Sequence, residues 1–435
     1  MPIINIIKKA EEKKGLSINQ VKALLSAPQD KKELIFKAAN KIKQEIYGNR
    51  LVLFAPLYIS NTCINDCLYC GFKKSNQDID RITLSLEQIK EETINILKQG
   101  HKRILLVAGE NNSDNFIDYI ISAINTIYET KYNNDSIKRI NVNLAPLTNK
   151  QFKKLKKANI GTYQLFQETY DINTYKTMHP TGPKSNYANR LDAINRAIES
   201  GIDDVGIGVL FGLHNYKEEV ISLLKHIKNL EKKHGIGPHT ISVPRLEPAH
   251  GSKISTEHPC PVSDEELKMI IAILRLAVPY TGIILSTRES TSFRNEAIEL
   301  GVSQISAASK TNPGGYSNKK AAEQFSVHDN RSLDQVISAC IDKNYMPSFC
   351  TSCYRVGRTG HEFMDYAKDG SIKDLCKLNA ILTFKEYLLR FASPQTQEKG
   401  EQILLKEINK LNDAEKKLIT ENLNKINQGK TDICL

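Results

Sequence analysis

The chain has 435 residues, of which 40% are hydrophobic and 25% charged, and this ordinary globular composition excludes a disordered, collagen-like or coiled-coil protein. The excess of 60 Lys and Arg over 49 Asp and Glu gives a net charge of +11. The lysines are spread along the whole chain among glutamates and form no long basic block, which favours solvated helix faces over a surface that binds nucleic acid.

The N-terminus and the apolar segments predict neither a secretory signal nor a membrane span. Residues 1–14 have no long apolar core before a small-residue cleavage site. The most apolar segment, 269–285, contains Arg275 and Pro279 and is too short to cross a bilayer. We therefore expect a cytoplasmic protein. Its nine cysteines, kept reduced there, favour metal binding over disulfides.

Short β-branched segments alternate with amphipathic segments along most of the chain. A helical lead-in is predicted at 1–48. Strands are then predicted at 51–59, 103–108, 139–144, 162–167, 204–210, 240–244, 283–287 and 302–306. Helices are predicted between them near 85–99, 114–129, 148–158, 188–200, 216–233, 263–278 and 291–300.

Local signals mark the ends of several predicted helices. Residues 85–88 and 263–266 each begin with serine and end with Gln or Glu, which is the capping-box pattern of a helix start. Gly100, Gly201 and Gly301 lie where helices are expected to end.

Eight βα alternations of this spacing predict an α/β fold, a TIM-type (β/α)8 barrel over 49–320. The chemistry of such a barrel lies at the carboxyl ends of its strands. The pattern after about residue 320 becomes helical and loop-like. Residues 321–435 are therefore predicted to form a separate, mainly helical C-terminal domain.

Three cysteines follow the first predicted strand at spacings of three and then two intervening residues: Cys63, Cys67 and Cys70. Three thiolates can hold one face of a [4Fe–4S] cluster and leave one iron open to a small molecule, whereas structural zinc takes four protein ligands. The spacing and the position in the barrel predict the cluster. A zinc site with a fourth ligand from elsewhere is the alternative.

This C-x3-C-x2-C motif, with Tyr69 before its last cysteine, resembles that of the radical S-adenosylmethionine (SAM) enzymes. The resemblance implies that the open iron binds SAM, and that one electron releases a 5′-deoxyadenosyl radical that takes hydrogen from the substrate. It also implies cofactor contacts at other strand ends. These are Gly109 and Glu110 at the ammonium group, Glu168 at the ribose, and Arg190 at the carboxylate. A surface ion pair is the alternative for each charged residue.

A second set of cysteines lies in the predicted C-terminal domain: Cys350, Cys353 and Cys376, spaced by two and then 22 residues. No fourth cysteine accompanies them. A second iron–sulfur cluster with a labile iron is one interpretation. A structural zinc of the Cys3His type, using His361, is the other.

The two triads together resemble the tyrosine lyases that mature [FeFe]-hydrogenase, and the likeness includes the long segments YGNRLVLFAPLYISNTC, YQLFQETY and FCTSCYRVGRTG. The resemblance implies that L-tyrosine is cleaved to p-cresol and dehydroglycine. Dehydroglycine then gives carbon monoxide and cyanide, which are captured on iron at the second cluster. The implied partners are L-cysteine, an electron donor such as ferredoxin or flavodoxin, and other hydrogenase maturation factors.

The carboxylate of the tyrosine substrate needs a cation. Arg288, after the seventh predicted strand, is the first candidate, with Ser286 beside it as a hydrogen-bond donor. Arg245, after the sixth strand, is the second candidate. An ion pair of Arg288 with Glu289 or Glu296 is the alternative to substrate binding.

The same resemblance gives the labile iron a histidine ligand, and His239 at the amino end of strand six is the candidate. His226 and His361 are the alternatives. Two other functions stay open. One is a 2-iminoacetate synthase of thiazole biosynthesis with zinc at the second triad, and the other is a scaffold that carries clusters without turnover.

Overall fold

The computed structural model describes residues 1–111, 115–317 and 321–435. Its strands are, in chain order, β1 (Arg50–Ser60), β2 (Arg103–Ala108), β3 (Lys131–Tyr132), β4 (Asp135–Ser136), β5 (Arg139–Asn143), β6 (Thr162–Glu168), β7 (Asp204–Val209), β8 (Thr240–Ser242), β9 (Gly282–Leu285), β10 (Gln304–Ser306) and β11 (Met346–Ser348). Strands β1, β2 and β5 to β10 pair in parallel in chain order, and the pairing of β10 with β1 closes them into a barrel.

The barrel confirms the predicted fold, and each of its eight strands overlaps a predicted one. Two strand features were not predicted. Strands β3 and β4 form a small antiparallel hairpin outside the barrel. Strand β11 pairs in parallel with the amino end of β1, where Arg50 lies opposite Met346. The chain after the barrel thus returns to the amino ends of the barrel strands.

The helices are α1 (Ile3–Glu11), α2 (Ile18–Leu25), α3 (Gln29–Tyr47), α4 (Leu86–Lys98), α5 (Phe116–Glu129), α6 (Asn149–Lys157), α7 (Ile172–Met178), α8 (Tyr187–Glu199), α9 (Tyr216–His234), α10 (Asp264–Ala277), α11 (Thr291–Ala297), α12 (Leu333–Asp342), α13 (Ser352–Arg355), α14 (Gly360–Asp369), α15 (Ile372–Arg390), α16 (Pro394–Asn409) and α17 (Asp413–Asn427). Seven match the predicted barrel helices. Residue 114, the predicted start of α5, lies outside the described residues. Over the described ranges, no helix has both the length and the apolar character to cross a membrane.

Most of the predicted end signals act as expected. Both capping boxes form, with the Ser85 hydroxyl accepting from the Gln88 backbone and the Ser263 hydroxyl from the Glu266 backbone. Gly100 and Gly201 directly follow the C-caps of α4 and α8, at φ values of 94° and 90° that side chains with a Cβ rarely adopt. Gly301 lies beyond the end of α11, which stops at Ala297.

One continuous hydrophobic core joins the lead-in, the barrel and the C-terminal helices. Its fully buried members include Ile42 of α3, Leu51 of β1, Ile270 of α10 and Ala380 of α15. The domain boundaries at 48 and 320 stay predictions, and residues 318–320 beside the second boundary lie outside the described residues. The shared core holds the C-terminal helices against the amino end of the barrel.

Candidate active site and second cysteine site

The first cysteine triad lies at the carboxyl end of the barrel. Cys63, Cys67 and Cys70 leave β1 and line one wall of a cavity in the barrel mouth. The ends of other strands form the rest of the wall, with the predicted cofactor and substrate residues Tyr69, Gly109, Glu110, Glu168, Arg190, Ser286 and Arg288. Residues far apart in the chain meet here because parallel strands end at the same edge of the barrel.

Amide donors surround the sulfur atoms of this triad. The Nδ2 of Asn65 lies 3.8 Å from the Sγ of Cys63, and the Nε2 of Gln324 lies 3.8 Å from the Sγ of Cys70. Such donors stabilise thiolates and cluster sulfur. Burial raises the pKa of Cys67 to about 12, so this thiol loses its proton only when a cation such as iron binds it. The three sulfurs, facing one cavity, fit a cluster.

Neither triad is arranged around one metal ion. Across the residues that the structure describes, no three His, Cys, Asp or Glu side chains are grouped closely enough to hold a single ion. All nine cysteines are free thiols.

Glu168, in the cavity wall, has an unusual backbone conformation. Its φ of 72° is unusual for a residue with a Cβ, and the register of β6 against β7 shifts between Phe166 and Glu168. The carboxylate accepts from Lys184 Nζ at 2.7 Å and Arg190 Nη2 at 3.3 Å. Burial opposes ionisation, but these two cations keep the pKa of Glu168 below its ordinary value. Strain of this kind concentrates at functional sites, and it aims an ionised carboxylate into the cavity.

Hydrogen bonds also fix the other predicted cofactor residues. Asn65 Nδ2 donates to Glu110 Oε2 at 2.6 Å. Arg190 Nε donates to the Phe166 carbonyl at 2.7 Å. The Tyr69 hydroxyl lies 2.8 Å from the Nε2 of His179. The site therefore has a preformed polar wall, and the individual cofactor contacts stay predictions.

Gly109 touches the start of the cysteine loop. A Cβ at this position would come within 2.3 Å of the Thr62 carbonyl oxygen and 3.2 Å of the Cys63 Cβ. Because glycine has no Cβ, the loop after β2 can pass this close to the backbone of Thr62 and Cys63.

Replacing Gly109 by alanine is therefore expected to push the two loops apart. Overpacking of this kind costs about 1–3 kcal/mol, so we expect SAM binding to weaken roughly 5- to 150-fold. Anaerobic equilibrium dialysis with labelled SAM measures this, and iron analysis shows whether the cluster is retained. Unchanged SAM affinity with full iron would contradict the role of this close approach.

The structure separates the two arginine candidates for the substrate carboxylate. Arg288 lines the cavity, with its guanidinium 3.3 Å from the centroid of the Phe325 ring. Arg245 lies outside the cavity wall, paired with Glu289 and with Asp264 at 2.8 Å. Its carboxylate partners already use its donors, so Arg288 is the better candidate.

The alternative ion pairs of Arg288 are absent among the described residues. Glu289 is bound by Arg245, and Glu296 is 2.7 Å from Lys268 Nζ. Within the described residues, the one hydrogen bond from the Arg288 guanidinium runs from Nη1 to the carbonyl of Arg245, at 3.4 Å. Its charge is therefore available to a ligand in the cavity.

The second cysteine site lies at the opposite end of the barrel. Cys350, Cys353 and Cys376 line a small cavity of about 50 Å3 together with residues that open the barrel strands. Arg103 at the start of β2 donates through Nη2 to the Cys350 carbonyl at 3.2 Å. His239, directly before β8, lines the same cavity. The site thus combines three thiols, an imidazole and buried cations.

The second cysteine site favours one thiolate, at Cys376. A hydrogen bond from Cys353 lowers the pKa of Cys376, and Arg50 and Arg358 act in the same direction. The same hydrogen bond raises the pKa of Cys353, and burial raises that of Cys350. Burial lowers the pKa of His239, which keeps its imidazole neutral. Thiolate and neutral imidazole are both ligands for iron and for zinc.

Only one of the three candidate histidines reaches this cavity in the described structure. The Nε2 of His239 is hydrogen-bonded to the Tyr354 hydroxyl, at 3.0 Å. His226 lies on α9, where its Nδ1 is 2.8 Å from the Tyr170 hydroxyl. His361 packs beside Gly235. The placement favours His239 as the ligand, which stays a prediction.

The walls of the two cavities are formed by adjacent layers of the barrel interior. Among the described residues, none lines both. On β1, Val52 lines the second cysteine site and Phe54 the mouth cavity, and on β2 the same holds for Arg103 and Leu105. Because strand residues two apart point to the same side, these pairs stack along the barrel interior.

Sequence reasoning missed several residues of both sites. Lys184, Asn65 and Gln324 lie in loops without a motif, although Asn65 is inside the cysteine loop and could have been noted. Tyr354 stands next to Cys353, and its ring covers the Arg139 guanidinium at 3.1 Å. No periodic pattern marks such residues.

Two family models match the chain. The model "Radical SAM superfamily" matches residues 57–227, from β1 into α9. The model "Biotin and Thiamin Synthesis associated domain" matches residues 242–346, from β8 to β11.

One group of relatives matches about three quarters of this chain, and another matches nearly all of it. The 2-iminoacetate synthase of Salmonella typhimurium strain LT2 is 35% identical over 336 residues, which cover 76% of this chain and 86% of the synthase. A crystal structure of HydG, a maturase of the [FeFe]-hydrogenase, covers all of this chain and 95% of its own at 47% identity, with a TM-score of 0.97. The HydG maturase of Carboxydothermus hydrogenoformans covers 97% of this chain and 93% of its own at 44% identity, with a TM-score of 0.84.

Proposed function

The chain belongs to the HydG family of the radical SAM superfamily, and on this basis we propose that it is a carbon–carbon lyase that matures [FeFe]-hydrogenase. It cleaves L-tyrosine to p-cresol and dehydroglycine and converts dehydroglycine to carbon monoxide and cyanide on iron. The observation that carries the proposal is the match of HydG to the whole chain, including the part that holds the second cysteine site.

The first triad and its wall bind the cofactors. Cys63, Cys67 and Cys70 hold the [4Fe–4S] cluster, and SAM bound to it supplies a carbon-centred radical. Glu168 stays ionised beside Lys184 and so accepts from hydroxyl groups of the nucleoside. The barrel walls exclude water from the reacting atoms.

Arg288 orients the tyrosine. Its guanidinium is stacked on Phe325 and has no carboxylate partner in the described part of the chain, so it offers two parallel donors to the substrate carboxylate. Ser286 lines the cavity nearby as a further donor.

Replacing Arg288 by lysine is expected to raise the KM for tyrosine. A point charge replaces a bidentate fork, and a hydrogen bond to a charged group is worth about 1.5–3 kcal/mol, so the increase should be about 10- to 100-fold. Steady-state p-cresol formation measures it. Arg245→Lys is the control, because its ion pairs lie outside the cavity. A larger KM effect in the control would transfer the role to Arg245.

The second cysteine site holds the second iron–sulfur cluster and receives the products. Cys350, Cys353 and Cys376 would be its thiolate ligands, and His239 would be the ligand of its labile iron. That iron would bind carbon monoxide and cyanide, with L-cysteine as a further small ligand. The Tyr354 hydroxyl is hydrogen-bonded to the Nε2 of His239, so it must move away before this nitrogen can bind iron. Ferredoxin or flavodoxin supplies electrons, and other maturation factors receive the product.

The test is anaerobic incubation of the reconstituted protein with dithionite, SAM and L-tyrosine. The expected products are p-cresol, carbon monoxide and cyanide. Cleavage of SAM without p-cresol would refute tyrosine as the substrate.

A 2-iminoacetate synthase is the second candidate, because the Salmonella synthase matches over most of its own length. Such an enzyme would form p-cresol without carbon monoxide. Metal analysis separates the two further, since zinc in place of a second cluster would favour the synthase.

A further inference from the structure

A larger cavity adjoins the second cysteine site at the amino end of the barrel. Its volume is about 610 Å3, against about 50 Å3 for the second cysteine site. Its walls come from α3, the start of β1, the segment before β11, and α15 and α16. Four lysines line it, and we call it the lysine-lined cavity: Lys343, Lys373, Lys377 and Lys410.

The two cavities share a wall. Tyr47 and Arg50 line both. Helix α15 supplies Cys376 to the second cysteine site and Lys373 and Lys377, one turn before it and one residue after it, to the lysine-lined cavity. A ligand that leaves one cavity through this wall therefore arrives in the other.

Among the described residues, Arg50 is the residue of the shared wall that has an unsatisfied buried donor, and its charge also faces the cysteines of the second site. The Tyr47 hydroxyl donates to the Tyr280 carbonyl, which fixes its ring. The Nε of Arg50 is buried without a hydrogen-bond partner, and within the described residues its guanidinium forms no ion pair. A buried donor without an acceptor is unfavourable, so Arg50 is suited to binding an anion that arrives from outside.

The lysine-lined cavity carries excess positive charge. Lys343 and Lys410 are each paired with one glutamate of the wall, at 3.2 and 2.6 Å. Lys373 and Lys377 have no ion pair in the part of the chain that the structure describes, and Asp374 is the remaining carboxylate of the wall. Such an approach raises the local concentration of anions and speeds their association.

We propose that the lysine-lined cavity is the route by which small anions, carboxylates above all, move between solvent and the second cysteine site. The proposal rests on the proposed function, in which a cluster at this site exchanges small ligands with solvent. The new elements are the path through the lysine-lined cavity, the preference for negatively charged ligands, and Arg50, Lys373 and Lys377 as the residues that cause this preference.

The test follows iron removal from full-length protein carrying Cys67→Ala, in which only the second site can hold a cluster. The probes are two chelators of similar shape, neutral bipyridine and dianionic bipyridine dicarboxylate, at concentrations where the rate rises linearly. We expect Lys373→Glu with Lys377→Glu to lower the rate ratio of the anionic to the neutral chelator about tenfold. Lys150→Glu with Lys153→Glu on α6 is the control of equal charge, and its ratio should stay that of the parent.

The outcomes separate the route from the proposed function. If iron is present at the second site and the rate ratio of the anionic to the neutral chelator is the same in the Lys373/Lys377 and Lys150/Lys153 double variants, the proposed route is wrong but the proposed function is not. Folded Cys67→Ala protein without iron overturns the second cluster and the route with it. If the double Glu variant does not fold, Lys373→Gln with Lys377→Gln replaces it, and a ratio equal to the parent's again overturns the route. Added salt should lower the parent's ratio, because it screens the lysines.

Discussion

Replacing Cys67 by alanine is expected to reduce release of 5′-deoxyadenosine and p-cresol to background. The Cys67 thiol is buried, and burial raises its pKa to about 12. It therefore keeps its proton in the absence of metal and becomes a thiolate when it binds iron. A cluster held by two thiolates cannot keep its open iron in position for SAM. The measurement is anaerobic turnover with dithionite, SAM and tyrosine, with both products determined by chromatography.

Cys260→Ala is the matched control for this variant. Cys260 is a half-buried free thiol that lies outside both cysteine sites, so its removal should leave the products unchanged. Iron analysis should show that the Cys67→Ala protein loses only the iron of the barrel mouth. Parent-level 5′-deoxyadenosine from that protein would refute the assignment of the first triad.

Replacing Cys353 by alanine is expected to separate the two halves of the reaction. The cavities share no wall residue among the described residues, so tyrosine cleavage at the mouth does not require the second triad. We expect p-cresol at close to the parent rate and carbon monoxide near background.

The folding of the Cys353→Ala protein must be verified before its products are interpreted, because metal binding and local folding are coupled. Circular dichroism and the amount of iron retained at the barrel mouth test whether the protein is folded. Cys434→Ala is the control, since Cys434 is a free thiol of the same C-terminal region outside the second cavity. Carbon monoxide at the parent rate from folded Cys353→Ala protein would favour a structural zinc. Loss of p-cresol as well would mean that the two sites depend on each other.

The sequence by itself determined the barrel and the two metal-binding motifs. Strand and helix periods are local, so eight alternating segments predict the barrel without knowledge of any contact. The spacing of Cys63, Cys67 and Cys70 is also local, because one loop carries all three thiols. Strand order then assigns Glu168 and Arg288 to the mouth, since all parallel strands end at the same edge.

Only the tertiary structure decided which charges are free and which cavities adjoin. Arg245 and Arg288 follow neighbouring barrel strands, and the sequence does not show which of them is paired. In the structure, Glu289 and Asp264 bind Arg245, whereas Arg288 lines the cavity and is left for a ligand. Similarly, Lys373 and Lys377 are ordinary helix lysines until α15 packs beside Arg50. Ion pairing and cavity walls depend on distances between residues far apart in the chain, and those distances arise only when the barrel closes and the C-terminal helices bury their apolar faces against it.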